Sequence, residues 1–351
     1  MFLAIKELKH SKLKFSLLTT IIFLVTFLVL FITGLANGLA NEGKSAISTT
    51  DIQSFVLQKN SNNRISRSNL TNDDIKKINN DNLVPLTINQ RTIQKNGDKN
   101  NKVDISFFTI DFDSFLKPEI NKGNNITNST KKQVVVSQKL ADDGYKIGDD
   151  IIDTNTKSKF EIAGFTDDKS YSHTPVVYLN STEGESISQQ PGTINTLVSK
   201  KNINDVKGYT VVDKATIIQN IPGYSEEQGS LLMMISFLYA ISIVVLGVFF
   251  YIITLEKTPQ LGTLKAIGAS TRYLANNLLS QVVVITGLSL IISNIFILGM
   301  KMILPASMPF SLDLPILLLT DSLFIIIAVV STIISLIKIS KVDPVSAIGG
   351  N

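Results

Sequence analysis

Four stretches of this 351-residue chain carry almost no charge, and this constrains its fold more than any other feature. Phe15 to Asn41 has no charged residue in 27, Gln228 to Leu255 none in 28, Tyr273 to Met300 none in 28, and Leu314 to Ile337 only Asp321 in 24. A helix of about 20 apolar residues crosses the roughly 30 Å of bilayer hydrocarbon, at about 1.5 Å per residue. A core helix of a soluble protein rarely runs so far without a charge. Four transmembrane helices are therefore expected, at 16–40, 228–255, 273–300 and 316–337, and a soluble enzyme is excluded. The composition, 44% hydrophobic and 18% charged, agrees.

The chain has no cysteine, which removes disulfides, zinc thiolates, iron–sulfur clusters and a thiol nucleophile together. His10 and His173 are the only two histidines, too few for an imidazole metal centre within one chain. No catalytic residue and no metal ligand is expected.

Charge also orients the spans. Lys6, Lys9, Lys12 and Lys14 stand against Glu7 before the first span, which places segment 1–15 in the cytoplasm by the positive-inside rule. Four crossings return 256–272 and the tail 338–351 to the same side, and the three inner segments together hold nine basic and three acidic residues. Residues 41–227, with 23 basic and 24 acidic side chains, belong outside, as does the short loop 301–315. A cleaved signal peptide fits the N-terminus poorly, because its apolar core spans about 7 to 15 residues and the run here is 27.

The outer segment is long enough for its own core and reads as mixed α and β. Runs rich in Val, Ile and Phe at 52–57, 103–110, 133–137, 160–165 and 174–179 predict strands. A helix is predicted over 71–79, opened by Thr71 and with Asp73 and Asp74 in its first turn. Gly144 and Gly148 predict turns feeding a strand near Ile151.

Gly38-Leu-Ala-Asn-Glu-Gly-Lys-Ser matches the phosphate-binding P-loop pattern letter for letter. That pattern works only between a buried strand and a helix N-terminus. Here a membrane span precedes it, and the topology puts Lys44 outside, so the match is read as chance. Any ATPase serving this chain is then another polypeptide.

The cytoplasmic loop holds Gln260-Leu-Gly-Thr-Leu-Lys-Ala-Ile-Gly-Ala-Ser. Leu261, Leu264 and Ile267 fall three apart, on one face of a short helix that either lies on the membrane or docks a partner. The run resembles the loop of FtsX/MacB-type ABC transporter permeases, where E-x-G-x-L-K-A-x-G-A-S is typical. The resemblance implies a coupling helix that docks into a groove of a separate ABC ATPase, carried by Leu261, Gly262, Leu264, Lys265, Ala266, Ile267, Gly268, Ala269 and Ser270. Gln260 departs from the family's usual acid. The layout of one span, a large outer domain, three further spans and the ending Lys341-Val-Asp-Pro-Val-Ser-Ala-Ile-Gly is similar to a whole MacB-type permease without a fused ATPase. Gly148-Asp-Asp-Ile and Phe160-Glu-Ile-Ala-Gly-Phe resemble that family's MacB-core outer domain.

Within the family, Ile221-Pro-Gly-Tyr, Leu246-Gly-Val-Phe-Phe-Tyr and Met308-Pro-Phe are most similar to the haem-efflux permeases of Gram-positive bacteria, while the DevC-type glycolipid exporters share much of this. The resemblance implies a multi-pass plasma-membrane protein working as two permeases with two ATPases. It implies no permanently bound cofactor and no nucleic-acid partner, with ATP hydrolysed by the partner subunit and haem, or a similar amphipathic compound, as cargo. Haem needs an apolar slot and an axial ligand. Tyr224, Glu226, Glu227, Met233, Met234 and Phe31 are the candidates, with Lys44 beyond the turn after the first span; His173 reads first as a surface-loop histidine. Gly34 and Gly38, four apart, suggest a close contact between first spans of two copies. Asp321 reads as an interfacial acid. Alternatives are an FtsX-like transmitter to a cell-wall hydrolase, and an exporter of lipid or peptide cargo.

Overall fold

A computed structural model describes residues 12–78, 80–96, 102–188, 190–305 and 308–340. His10, Lys6, Lys9 and the tail motif from Lys341 lie outside the described residues. The chain forms two units, an outer one of 39–229 and a membrane one comprising the chain up to Gly38 and from Ser230 onward.

Four helices are long and apolar enough to cross a membrane. They are α1 (Lys12–Ser48), α6 (Tyr224–Glu256), α8 (Thr271–Lys301) and α9 (Leu314–Ser340). Smaller helices are α2 (Asn72–Ile78), α3 (Gln138–Asp142), α4 (Ser181–Ile187), α5 (Lys214–Gln219) and α7 (Thr258–Ala266). The first helix does not stop at residue 40. It continues through Glu42, Gly43 and Lys44 to Ser48, because Ala40, Ala46 and Ile47 find a second apolar environment in the core of the outer unit. Lys44 is thus part of α1, with no turn before it.

The outer unit is built on an eleven-stranded mixed sheet. Its strands are β1 (Ser54–Leu57), β3 (Val84–Lys95), β4 (Lys102–Ile110), β5 (Lys122–Gly123), β6 (Gln133–Ser137), β7 (Asp150–Asp153), β8 (Lys159–Thr166), β9 (Ser170–Tyr171), β10 (Thr174–Asn180), β12 (Thr196–Ser199) and β13 (Thr210–Asp213). The main path runs β13-β1-β12-β3-β4-β10-β6-β8-β5, and a separate pair joins β2 (Leu70–Thr71) to β11 (Thr193–Ile194). The pairs β4–β10 and β6–β8 are parallel. These strands are nearly unbroken apolar runs because both faces are covered. Phe108, Val176 and Tyr178 face a core that includes Ile47 of α1, Ile217 of α5 and Tyr224 of α6. Phe107, Val177 and Leu179 face the opposite core with Leu140 of α3 and Ile187 of α4.

All five predicted strands are present within a residue or two. β3 is an addition, polar at Thr87, Asn89, Gln90, Arg91 and Thr92 because only Leu86, Ile88 and Ile93 of it are buried. The predicted first-turn acid of α2 is in place. Thr71 donates to Asp74 Oδ2 from its amide (2.9 Å) and its hydroxyl (2.7 Å), and the Tyr209 hydroxyl donates to Oδ1 (2.7 Å). Those donors hold the Asp74 carboxyl down at about 2. Gly144 and Gly148 have φ of +89° and +84°, the left-handed turns expected of them.

In the membrane unit, Phe15, Leu18, Ile22 and Val29 of α1 pack with Leu246 and Phe250 of α6, Val282 and Ile285 of α8, and Phe324 and Ala328 of α9. Ser289 and Ser293 of α8 donate to the α1 carbonyls of Thr19 and Phe23, each at 3.1 Å, so the two helices approach across small polar residues.

Candidate functional site

The Gln260–Ser270 run forms most of α7 and the corner that leads into α8. Pro259 occupies the first turn of α7, where a missing amide costs nothing. The helix ends in a Schellman turn: Gly268, at φ +103°, donates its amide to Lys265 O (3.1 Å), and the Ala269 amide reaches back to Leu264 O (3.0 Å). Ser270 then caps α8 by accepting from the Tyr273 amide at 3.3 Å. The Gly268-Ala-Ser part of the motif is therefore a stop and a start signal. The run leaves Ile267 80% and Leu264 37% exposed beside the exposed Gln260 and Thr263, while Leu261 is half-buried and Gly262 buried. At the other end of α7, the ammonium of Lys257 donates to Gln281 Oε1 of α8 and lies 5.5 Å from the Phe15 ring centre.

The P-loop-like segment lies wholly within α1, so its amides serve the helix and form no phosphate cradle. In the outer unit the same segment meets the start of α6. The Lys44 ammonium is 5.9 Å from the centre of the Tyr224 ring, and a Cβ on Gly43 would touch that ring at 2.9 Å. Tyr224 is 6% exposed and belongs to the core, which leaves its ring packed against protein. Glu227 accepts from His173 Nε2 at 2.8 Å. Glu42 pairs with Lys139 and sits 4.0 Å from His173 Nδ1. Nearby, burial pushes the Asp168 carboxyl up, with repulsion from Asp142 adding to it and Lys139 opposing. Glu226 stands beside Glu227 in the first turn of α6, where both complement the helix dipole.

The remaining cargo candidates belong to the membrane unit. Met233 and Met234 are 60% and 41% exposed on α6. Phe31 stacks on Phe27 and on Phe310, with ring centres 6.0 and 5.9 Å apart. Gly34 and Gly38 differ from expectation. Their open face is filled by this chain's own Pro309 and Phe310, and Ser311 donates its amide to Gly34 O at 3.0 Å. Small residues there admit the loop before α9, which accounts for the spacing without a second copy. Asp321 lies inside α9 and accepts from Asn294 Nδ2 of α8 at 2.7 Å, a cross-helix tie. The sequence carries no signal for the Lys257–Gln281 bond or for the place of His173, since neither leaves a periodic mark.

Residues 232–344 match the FtsX-like permease C-terminal family. The whole chain is 32% identical to the hemin transport system permease protein HrtB of Staphylococcus haemolyticus and 34% identical to that of Staphylococcus epidermidis, in each case over 100% of this chain and 99% of the relative. Solved structures similar to it include the extracellular domain of the transporter YknZ from Gram-positive bacteria (15% identity, 42% of this chain, 81% of that one, TM-score 0.32). Another is the periplasmic region of MacB from Actinobacillus actinomycetemcomitans (14% identity, 51% of this chain, 99% of that one, TM-score 0.35). Those scores carry no weight beside the full-length identities. With four candidate spans and, between the first two in the sequence, an outer mixed α and β unit, the chain is a multi-pass plasma-membrane protein and belongs to the FtsX/MacB-type ABC transporter permeases, in the branch that contains the HrtB proteins.

Proposed function

We propose that the chain is the membrane half of an efflux pump for haem, or for a similarly amphipathic toxic compound, assembled as two copies with two copies of a separate ATPase. The observation that supports the cargo is the identity of 32% and 34% to permeases named for hemin transport, running through the outer unit as well as the spans. ATP binding closes the ATPase pair, and the outward apolar residues Leu264 and Ile267 receive that motion. α1 and α6 each contribute residues to both units, and in this reading a displacement at their inner ends runs along them. In this reading no cargo need pass through the cytoplasm.

For haem contact, Met233 and Met234 offer soft thioethers on an exposed apolar stretch of α6. Glu226, Glu227, Tyr224 and Phe31 are weaker candidates in this reading, because Glu227 is held by His173, Tyr224 is a core residue and Phe31 is stacked between two rings. The deciding experiment compares the growth-inhibiting hemin concentration of cells lacking the gene and cells with it restored, beside two unrelated lipophilic toxins. Loss of tolerance to hemin alone supports the reading. Equal sensitivity in both strains removes haem and leaves lipid or peptide cargo.

A further inference from the structure

The turn between β9 and β10 has two residues, Ser172 and His173, whose φ angles are +49° and +64°. Both are left-handed, as a two-residue hairpin of the I′ type demands, and that type prefers Asn or Gly. Neither residue here is one of those. Strain of this kind persists where surrounding contacts over-determine it, and it concentrates at working parts of a protein.

The contacts are specific. The Ser172 amide donates to Gly43 O (2.9 Å) and the His173 amide to Glu42 O (3.2 Å), both in α1. The Ser172 hydroxyl donates to Pro222 O (3.3 Å), just before α6, and His173 Nε2 donates to the Glu227 carboxylate (2.8 Å) in its first turn. The other oxygen of Glu227 is buried without a hydrogen-bond partner among the described residues, so the imidazole is what holds that carboxylate. Glu42, which faces the other imidazole nitrogen, is fixed in turn by Lys139 of α3. The hairpin leads directly into β10, which pairs with β4 on one side and β6 on the other.

We infer that the Ser172-His173 turn is the clasp through which α1 and α6 act on the outer sheet, with His173 as its positioning residue. A rod transmits displacement only if its far end is tied to what it moves. Here both rods are tied to one turn, and the turn opens onto a central strand, so load reaches the middle of the sheet. The inference rests on the proposed reading that ATP-driven motion runs along α1 and α6, but it does not depend on the cargo.

The chain has no cysteine, so labels can be placed cleanly. Gly229→Cys, where a side chain meets open space, and Glu161→Cys, at an exposed position of β8, take spin labels in the full-length permease, assembled with its ATPase in nanodiscs. In the otherwise unchanged protein the inter-label distance distribution stays narrow with and without ATP. His173→Gly keeps the turn and both backbone donors, because glycine suits this φ, and removes only the imidazole. It should widen the distribution and lower hemin efflux about tenfold while ATP hydrolysis continues, the scale of one lost charge-assisted hydrogen bond. His173→Gln, which restores a donor to Glu227, should recover both. Unchanged width in His173→Gly, unchanged efflux despite widening, or failure of His173→Gln to recover either would overturn the clasp. If the gene has no effect on hemin tolerance while the distributions behave as expected, haem is lost as cargo and the clasp stands.

Discussion

Lys257 and Gln281 form a buried hydrogen bond between the residue that opens α7 and the interior of the third span, at 7% and 2% exposure. The bond fixes where α7 leaves the membrane helices. Gln281→Leu takes an acceptor from a buried ammonium and should cost roughly 3 kcal/mol, whereas Lys257→Met combined with Gln281→Leu should recover most of it, since apolar replacement of both partners removes the desolvation penalty. Thermal unfolding of the purified protein in nanodiscs reads the difference. A double variant as unstable as Gln281→Leu would contradict it.

Ile267 and Leu264 are the apolar side chains that α7 and its end leave outward. Burying each in an ATPase groove is worth about 1.5–3 kcal/mol, so Ile267→Asp or Leu264→Asp should weaken capture of the partner ATPase by about tenfold or more. Co-purification from membranes at a series of ATPase levels measures this. Full capture by both variants would leave α7 as a helix lying on the membrane.

Gly38 faces the backbone of Pro309 in the same chain, with no flexible side chain to yield. Gly38→Ala should therefore destabilise the membrane unit by about 1–3 kcal/mol, the usual cost of overpacking. Gly299→Ala, where an added Cβ meets nothing within 4 Å, is the control and should be neutral or slightly stabilising. Equal melting temperatures for the two variants would refute the packing role.

Asp74 is held at about 2 by two donors from Thr71 and one from Tyr209, against an unperturbed 3.8. Because its folded value lies below the unfolded one, its contribution is complete above pH 3.8 and is lost as pH falls through about 2. Tyr209→Phe removes one donor, raises the carboxyl's value and should move the acid-unfolding midpoint to higher pH, with a pH-independent loss of stability between about pH 6 and 8. Circular dichroism across an acid series on the full chain gives the midpoint, and an unmoved midpoint would show that the Tyr209 contact carries no weight.

The spans are legible in the sequence because hydrocarbon thickness sets a length scale that 27 or 28 uncharged residues meet directly. β4, β6, β8 and β10 are legible for a related reason, since burial on two faces writes itself as consecutive Val, Ile and Phe. β3 is not, because its Thr, Asn, Gln and Arg residues answer to strand neighbours brought in by the fold, β12 among them from more than a hundred residues away. Gln281 is hidden for the same reason in reverse: it counts as uncharged in a hydropathy reading, and its bond is to Lys257, 24 positions away. His173 belongs to a group assembled from residues 42, 139, 173 and 227, which no local pattern joins. Gly34 and Gly38 announce a close approach by their spacing, but spacing alone points to a second copy, whereas the group that fills the space is Phe310 of the same chain.

β1 pairs with β12 on one side and β13 on the other, so Ser54 is opposite both Ser199 and Asp213. This has a consequence for biogenesis. The first strand delivered across the membrane has no complete set of neighbours until the polypeptide has been synthesised past residue 213, only a short distance before the second hydrophobic helix begins at Tyr224. The emerging outer segment must therefore wait, translocated and unfinished, until the ribosome is about to hand over the next membrane helix, and maturation of the outer sheet and insertion of that helix fall within the same interval of translation.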